Sequence, residues 1–315
     1  MTEAEFIAAL RTLPLHPGAR GLADDVAVLH PGGPLVLTLD TMVEGVHYLA
    51  GDPAEDVAWK LATVNLSDLA AKGAKPAGLM LSYPLGDDAW DRAFLRGLDH
   101  ACAAFGAPLL GGDTVSLPPG APRVLSLTAL GTADAAPPRA GGRAGDALWV
   151  TGTIGDAGAG LTIARGEPGP AALLARYRRP TPRLAEGAAL AAHVHAMCDV
   201  SDGLLIDAAR LAAASGLGAA IDLAAVPLSE AYRDWRDDTR AARLTAATAG
   251  DDYELLFAAP SGWVPPLPAT RVGALHQGAG LRLIDGTIAV PLPTSLGYEH
   301  QHASALAKPP HPGPP

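Results

Sequence analysis

The stretch at residues 133–146 constrains the fold of this chain most, because it is rich in Pro, Gly and Arg and contains almost nothing that a core could bury. Apolar segments that predict strands and helices lie on both sides of it. The chain has 315 residues, a length that suits about two domains. We therefore expect an N-terminal domain over residues 1–138, a C-terminal domain over 139–305, and a disordered, Pro-rich tail over 306–315.

Apolar periodicity predicts alternating strands and helices before this stretch. Residues 34–39 predict a buried strand that ends at Asp40. A helix is expected from Ala54 to about Gly73, with Asp52 positioned to cap it. The other predicted elements are strands at 78–83, 108–110 and 123–131 and a helix at 87–104.

The second half shows the same mixture of elements. Ser201 is expected to cap a helix that Gly216 ends. Because strands and helices alternate in both halves, the predicted fold class is α/β or α+β. The predicted strands lie at 147–151, 219–223, 253–258, 271–275 and 281–290, and the predicted helices at 155–164, 180–192 and 203–214.

Composition disfavours several classes of partner and location. Lys and Arg number 23 against 33 Asp and Glu, so the net charge is −10, which disfavours nucleic acid and anionic membranes. No apolar run reaches the length of a membrane span, and the first residues lack the apolar core of a signal peptide. Two cysteines, Cys102 and Cys198, are too few for a disulfide framework. We expect a cytoplasmic protein.

A set of aspartates at the ends of apolar segments is the main indication of chemistry. Carboxylates held rigidly at such positions suit a hard divalent cation, and several of them together would repel one another without it. Aspartate beside glycine is also common in turns and caps, so no single member of the set establishes a site. The set comprises Asp24, Asp25, Asp40, Asp68, Asp113, Asp199, Asp202, Asp251 and Asp252.

Several common catalytic motifs are absent from the sequence. It has no P-loop motif G-x-x-x-x-G-K-[ST], no dinucleotide motif G-x-G-x-x-G, no zinc motif H-E-x-x-H and no serine-hydrolase motif G-x-S-x-G. The glycines from Gly152 to Gly160 follow a predicted strand, so they fit either a phosphate-binding helix start or a tight strand–helix turn. An oxygen-only cation cluster used in phosphate chemistry remains consistent with the sequence.

Read in order, the motifs resemble those of the thiamine-monophosphate kinases, a family of the aminoimidazole ribonucleotide synthetase-like superfamily. The resemblance extends from about residue 20 to residue 300 and is most specific in VEGVH, VNLSDLAA and DVSDGL. It implies a two-domain fold in which the N-terminal mixed-sheet domains pair in a homodimer and the C-terminal α/β domain completes the site. It further implies transfer of the γ-phosphoryl group of ATP to thiamine monophosphate, giving thiamine diphosphate with the help of several Mg²⁺ ions.

Matching the motifs assigns roles to individual residues. The resemblance implies ATP contacts at Gly112, Asp113, Arg139 and Ser201, and substrate contacts at His47, Asp251 and Ser295. The implied metal ligands are Asp25, Thr38, Leu39, Asp40, Asp68, Asp113, Asp199 and Asp202. Leu39 can offer a cation only its backbone carbonyl. Ser295 stands near the position where the family often has an aromatic residue.

The acceptor in this reaction is a phosphate oxygen that is already ionised near neutral pH. We therefore predict no dedicated catalytic base. Two alternatives stay open: another ATP-using enzyme of the same superfamily, and a nucleotide-binding relative without catalytic activity.

Overall fold

The computed structural model describes residues 1–24 and 26–300. Asp25 and the segment 301–315, including the predicted tail 306–315, lie outside the described residues. The described chain forms two sheets with helices packed against them, which confirms the predicted mixed α/β class. No helix in this part of the chain is long and apolar enough to cross a membrane.

The first sheet has four strands in the order β1-β4-β2-β3. Strands β2 and β3 run parallel, whereas β4 pairs antiparallel with both β1 and β2. Three α-helices and a short 3-10 helix at Pro17–Leu22 belong to this half of the chain. The elements are β1 Leu35–Val43, β2 Lys75–Leu85, β3 Leu109–Ser116, β4 Val124–Thr132, α1 Glu3–Leu10, α2 Ala54–Ala70 and α3 Asp88–Phe105.

The second sheet has seven strands in the order β11-β10-β7-β9-β5-β8-β6. Its strands are β5 Ala147–Thr151, β6 Ala196–Asp199, β7 Gly218–Asp222, β8 Leu255–Ala259, β9 Ala269–His276, β10 Gly280–Asp285 and β11 Ile288–Val290. Its helices are α4 Asp156–Ala164, α5 Ala171–Arg178, α6 Leu184–Leu190, α7 Leu204–Ala214, α8 Glu230–Arg236 and α9 Arg240–Thr248, with a 3-10 turn at Leu223–Ala225.

Helix α2 lies between the two halves and contacts both. Val57, Leu61 and Leu69 pack into the core of the first sheet. The same helix donates a hydrogen bond of 3.0 Å from Trp59 Nε1 to the carbonyl of Pro180 in the second half. Residues of α2 are therefore positioned to bring groups of the first sheet to groups of the second.

The prediction for the first strand was wrong in two respects. Strand β1 does not end at Asp40 but continues to Val43, because its ladder with β4 runs unbroken from Leu35 to Val43. Nor is the strand buried on both faces, since the side chains of Leu37 and Leu39 are 59% and 61% exposed. In the part of the chain that the structure describes, the outer face of the first sheet thus exposes apolar side chains.

Two predicted helix caps were also wrong. Asp52 accepts hydrogen bonds from the backbone of Leu49 and the hydroxyl of Tyr177, and α2 begins after Pro53 without a side-chain cap. Helix α7 begins after Gly203, and the side chain that accepts the free N–H groups at its start belongs to Asp207, not Ser201. An acidic side chain inside the first turn replaces the predicted cap.

The predicted helix at 180–192 is shorter, because only Leu184–Leu190 is helical. Its start is held by a buried ion cluster in which Glu254, fully buried, accepts hydrogen bonds from Arg176, Arg183 and Thr151. Both guanidinium groups lie within 2.8 Å of the Glu254 carboxylate. This cluster joins α5, the start of α6 and the segment that precedes β8.

Candidate active site

Strand β1 and helix α2 bring polar groups of the first half together. Thr38 and Asp40 are two residues apart on β1, so their side chains point to the same face of the sheet. Thr38 donates a hydrogen bond of 2.5 Å to Asp68, and the backbone N–H of Asp40 donates one of 3.0 Å to Asn65 Oδ1. Asn65 and Asp68 are three residues apart on α2 and both face β1.

The second half contributes the carboxylate of Asp199, which lies at the end of β6. The hydroxyl of Ser67 on α2 donates a hydrogen bond of 2.8 Å to Asp199 Oδ2, joining residues 132 positions apart. Two neighbouring residues of α2 thus contact different halves of the chain, Asp68 through Thr38 and Ser67 through Asp199.

Burial and nearby negative charge raise the pKa of two of these carboxylates, Asp40 and Asp199. Burial raises the pKa of Asp40 to about 6, and the negative charge of Asp68 contributes to the same shift. Burial raises the pKa of Asp199 to about 8, again with the charge of Asp68 as the next cause, while the hydrogen bond from Ser67 opposes the shift. Asp40, Asp68 and Asp199, named here the carboxylate group, therefore lie in one shared field of negative charge.

The chemistry of the carboxylate group suits a hard divalent cation. Its donors are carboxylate oxygens, and a cation between them would relieve their mutual repulsion. Within residues 1–24 and 26–300, however, no three His, Cys, Asp or Glu side chains form a ready cation-binding cluster. The donors fit a cation in type and charge, and binding requires either their movement or further oxygen ligands.

Asp113 and Leu39 lie on the other face of the first sheet. Across the sheet, Asp40 pairs with Leu127, Leu127 with Leu81, and Leu81 with Gly112. These four positions therefore lie on the same, inner face of the sheet. Asp113 pairs with Ser82 and points outward. Strand β3 is also three strands away from β1, about 14 Å at the usual spacing. Within one protomer, the sheet does not bring Asp113 into the carboxylate group.

Gly112 is required by close packing of the backbone. A Cβ at this position would lie 1.9 Å from the carbonyl oxygen of Leu81. Any side chain at residue 112 would therefore push β3 away from β2.

The remaining predicted ATP and metal residues of the second half lie near the start of α7 and near β6. Asp202 forms an ion pair with Arg210, and the carbonyl of Ser201 accepts a hydrogen bond of 2.8 Å from the backbone of Asp251. Arg139 is exposed, and its charge contributes to lowering the pKa of Lys72, after burial as the main cause. Lys72 itself donates a hydrogen bond of 2.9 Å to the carbonyl of Met197 on β6.

His47 and Asp251 are brought together by Lys60, which the sequence analysis did not identify. Lys60 Nζ lies 2.7 Å from Asp251 Oδ2 and 3.2 Å from the carbonyl oxygen of His47. A lysine in a helix is usually solvated. The apolar residues Val57 and Leu61 nevertheless place position 60 on the buried face, which is the signal that could have identified it.

His47 is held as a neutral imidazole. Its Nδ1 accepts a hydrogen bond of 3.0 Å from the backbone of Val43, so that nitrogen bears no proton. Burial lowers the pKa of His47, and the nearby His300 and Lys60 lower it further, while Asp251 opposes them. The ring is thus uncharged at neutral pH.

The neighbouring acids Asp251 and Asp252 have separate surroundings. Asp251 has φ +68°, and its Oδ1 accepts a hydrogen bond of 3.0 Å from the hydroxyl of Tyr253. The fully buried Asp252 accepts hydrogen bonds from the N–H groups of Gly155 and Ala157 at the start of α4. Since Asp252 occupies those donors, the glycine-rich segment there is a strand–helix turn and not an open phosphate cradle.

The segment GYEH at residues 297–300 places aromatic rings beside His47. The ring centroids of His47 and His300 are 5.5 Å apart, and those of Tyr298 and His300 are 5.1 Å apart. The backbone N–H of Tyr298 donates a hydrogen bond of 2.9 Å to the carbonyl of Asp202. Among the described residues, the hydrogen bonds of Ser295 are local, with Gly297. Neither Tyr298 nor His300 was among the site residues predicted from the sequence.

Comparison with known proteins identifies the family. The model of "AIR synthase related protein, N-terminal domain" matches residues 23–133, and that of the C-terminal domain matches residues 143–264. The thiamine-monophosphate kinase of Caulobacter vibrioides is 44% identical over 300 residues, covering 90% of this chain and 82% of the relative.

Solved structures agree with this comparison. The crystal structure of thiamine-monophosphate kinase from Stenotrophomonas maltophilia K279a has a TM-score of 0.75 and 38% identity, and the match covers 83% of this chain and 89% of that one. A structure of AaThiL complexed with AMPPCP and TMP has a TM-score of 0.76 and 32% identity, covering 88% and 91%. The chain therefore belongs to the thiamine-monophosphate kinase family, within the AIR synthase related proteins.

Proposed function

We infer that this protein transfers the γ-phosphoryl group of ATP to the phosphate of thiamine monophosphate, producing thiamine diphosphate and ADP. The observation that supports this most is the structure of AaThiL with AMPPCP, an analogue of ATP, and TMP, on a fold that this chain shares. The motifs named for the family lie at the carboxylate group and around His47 and Asp251, which supports the proposal.

Charge repulsion is the main physical obstacle in this reaction. Donor and acceptor are both anions, and the chain has a net charge of −10. We propose that Asp40, Asp68 and Asp199 hold Mg²⁺. When bound, the cation supplies charge neutralisation to the phosphate oxygens. The further ligands proposed from the motifs are Asp25, Thr38, Leu39, Asp113 and Asp202.

The chain's own residues position the two substrates. Ser67 fixes the Asp199 carboxylate, and Thr38 fixes that of Asp68. Gly112, Asp113, Arg139 and Ser201 are the proposed ATP contacts, with Arg139 placed to pair with phosphate oxygens. The attacking phosphate oxygen is already ionised near neutral pH, so no residue is assigned as a base.

In a homodimer, the outer face of the first sheet could form the contact between the two protomers. This face exposes apolar side chains of three strands, Leu35, Leu37, Leu39, Met80 and Val115. An uncovered apolar sheet face of this kind favours association. Asp113 lies on the same face, so a second protomer seated there would approach its carboxylate. We therefore propose that the ATP site is completed at the interface of two protomers. Each protomer has the predicted N-terminal domain, residues 1–138, and C-terminal domain, residues 139–305.

The thiamine end of the substrate is assigned to the surroundings of His47. His47 and Asp251 are the proposed contacts, and the rings of Tyr298 and His300 lie beside them. Aromatic faces stack on heterocyclic rings, so these rings supply the apolar surface that Ser295 cannot. A contact of Ser295 with substrate stays a prediction.

We place the reaction in the cytoplasm. Both Cys102 and Cys198 are free thiols, which suits a reducing compartment. ATP is also available there as the phosphoryl donor.

Release of ADP with and without thiamine monophosphate tests the function. The proposed kinase releases ADP only when thiamine monophosphate is present, and one thiamine diphosphate appears for each ADP. ADP release with a different acceptor would indicate another enzyme of the superfamily. Nucleotide binding without turnover would indicate a relative that binds but does not catalyse.

A further inference from the structure

We propose that Lys60 is a positioning residue for the thiamine-binding end of the site, where its ammonium group fixes the Asp251 carboxylate against the loop that contains His47. The inference rests on the proposed function, because His47 and Asp251 are substrate contacts only under that function. Lys60 itself is not assigned a contact with substrate.

The surroundings of the ammonium group are specific. Besides Asp251 and the carbonyl of His47, Lys60 Nζ lies 4.2 Å from the centroid of the Tyr177 ring. The three partners come from the segment before β8, the loop after β1, and α5. An ammonium group has three hydrogens to donate. Here its three neighbours are the Asp251 carboxylate, the His47 carbonyl and the face of the Tyr177 ring.

The ammonium group of Lys60 is buried, so its charge needs compensation by the protein. The Lys60 side chain is only 3% exposed, whereas that of Asp251 is 32% exposed. A buried cation persists when an opposite charge and hydrogen bonds compensate it, and removing one partner leaves an uncompensated charge. Lys60 therefore holds Asp251 from the protein side, and the carboxylate keeps an open side toward solvent.

The backbone of Asp251 needs such support. Asp251 and Tyr253 have φ of +68° and +52°, in the left-handed region that residues other than glycine rarely adopt. Non-glycine residues remain in this region only where their surroundings hold them. Tyr253 holds Asp251 Oδ1, Ser201 accepts its N–H, and Lys60 holds Oδ2 from the first half of the chain. The position of Asp251 relative to His47 thus depends on Lys60.

Steady-state kinetics of Lys60→Met, with each substrate varied in turn, tests the proposal. We expect KM for thiamine monophosphate to rise about tenfold while KM for ATP stays within about twofold, because only the carboxylate at the thiamine end is released. Lys60→Arg, which keeps the charge, is expected to recover part of the loss. Arg178→Gln is the matched control, since it removes a neighbouring half-buried ion pair, with Asp52, and should leave both KM values unchanged.

A double variant tests whether Lys60 acts through Asp251. In Asp251→Asn the carboxylate charge is already lost, so adding Lys60→Met should change KM for thiamine monophosphate no further. The double variant contains neither charge of the pair and is expected to fold even if Lys60→Met alone does not. Unchanged KM in Lys60→Met, equal increases for both substrates, or a further increase in the double variant would each overturn the proposal. If instead the unaltered protein released no ADP with thiamine monophosphate, the proposed function itself would fail.

Discussion

The substitution Asp68→Asn tests the carboxylate group most sharply, because it should stabilise the cation-free protein while destroying its activity. After burial, the charge of Asp68 is the next cause of the raised pKa of both Asp40 and Asp199. Asparagine has nearly the same shape and can still accept the hydrogen bond from Thr38. The substitution therefore removes a repulsion and leaves the local packing intact.

The size of the effect follows from the pKa of Asp40. Its pKa rises from 3.8 to about 6, and one unit corresponds to about 1.4 kcal/mol, so ionised Asp40 lowers the free energy of unfolding by about 3 kcal/mol at neutral pH. Burial is the larger cause, so we assign about 1 kcal/mol to Asp68. The folded pKa is raised, so this cost is absent below pH 3.8, grows as the pH rises, and is complete above about pH 6.

The assay is thermal unfolding at pH 7.5, about 1.5 units above the raised pKa of Asp40, in a chelator and again in Mg²⁺. In the chelator, Asp68→Asn should unfold about 1 to 2 °C above the unaltered protein, the shift that about 1 kcal/mol gives for a chain of 315 residues. Mg²⁺ should stabilise the unaltered protein through binding and have little effect on the variant, whose turnover should be lost. Destabilisation of the variant in the chelator, or near-normal kcat at saturating Mg²⁺, would refute the reasoning.

Three further predictions concern other parts of the molecule. His47→Ala should raise KM for thiamine monophosphate and leave KM for ATP unchanged; a change in KM for ATP alone would contradict the assignment. In sedimentation velocity, Leu37→Asp should convert the proposed dimer to a monomer, whereas Val264→Asp, at an exposed site elsewhere, should not; a dimer that survives Leu37→Asp would argue against this interface. Glu254→Ala should lower the free energy of unfolding in urea by about 3 to 5 kcal/mol, because Arg176 and Arg183 both lose their buried counter-ion. Glu186→Ala, which removes the more exposed partner of Arg183, should lower it by less than about 1 kcal/mol; similar losses would contradict the buried cluster.

Elements with strong local patterns could be predicted from the sequence. The strand predicted at 147–151 is β5 Ala147–Thr151, and the helix predicted at 87–104 is α3 Asp88–Phe105 with Asp87 as its cap. In both cases the apolar spacing and the flanking residues agree with the tertiary environment. Strand β6 was missed because its four residues form a strand only by pairing with β8.

The exposure of β1 shows what an apolar run leaves undetermined. Residues 34–39 place apolar side chains on both faces of the strand, and this pattern predicts that both faces are covered. It does not identify the element or partner that covers each face. In one protomer, α2 covers only the inner face, and Leu37 and Leu39 on the other face remain exposed. The apolar outer side chains of β1 are consistent with the proposed interface between protomers, whereas the sequence pattern was interpreted as a strand buried within one chain.

The candidate site could be predicted in composition but not in arrangement. The aspartates were found from their positions at segment ends and from motif resemblance. Their grouping depends on α2 meeting β6 across 132 residues, through Ser67 and Asp199, and no local spacing encodes that contact. Lys60 was missed for a related reason, since its partner Asp251 is 191 residues away.

Titration with Mn²⁺, followed by the loss of its free electron paramagnetic resonance signal, tests the central claim most directly. The claim is that carboxylates from both halves of the chain share one cation-binding site. In the presence of an ATP analogue, Asp68→Asn and Asp199→Asn should each abolish binding of the same ion, and the double variant should lose no more than either one. Retention of the ion in both single variants, or loss of a different ion in each, would contradict the account.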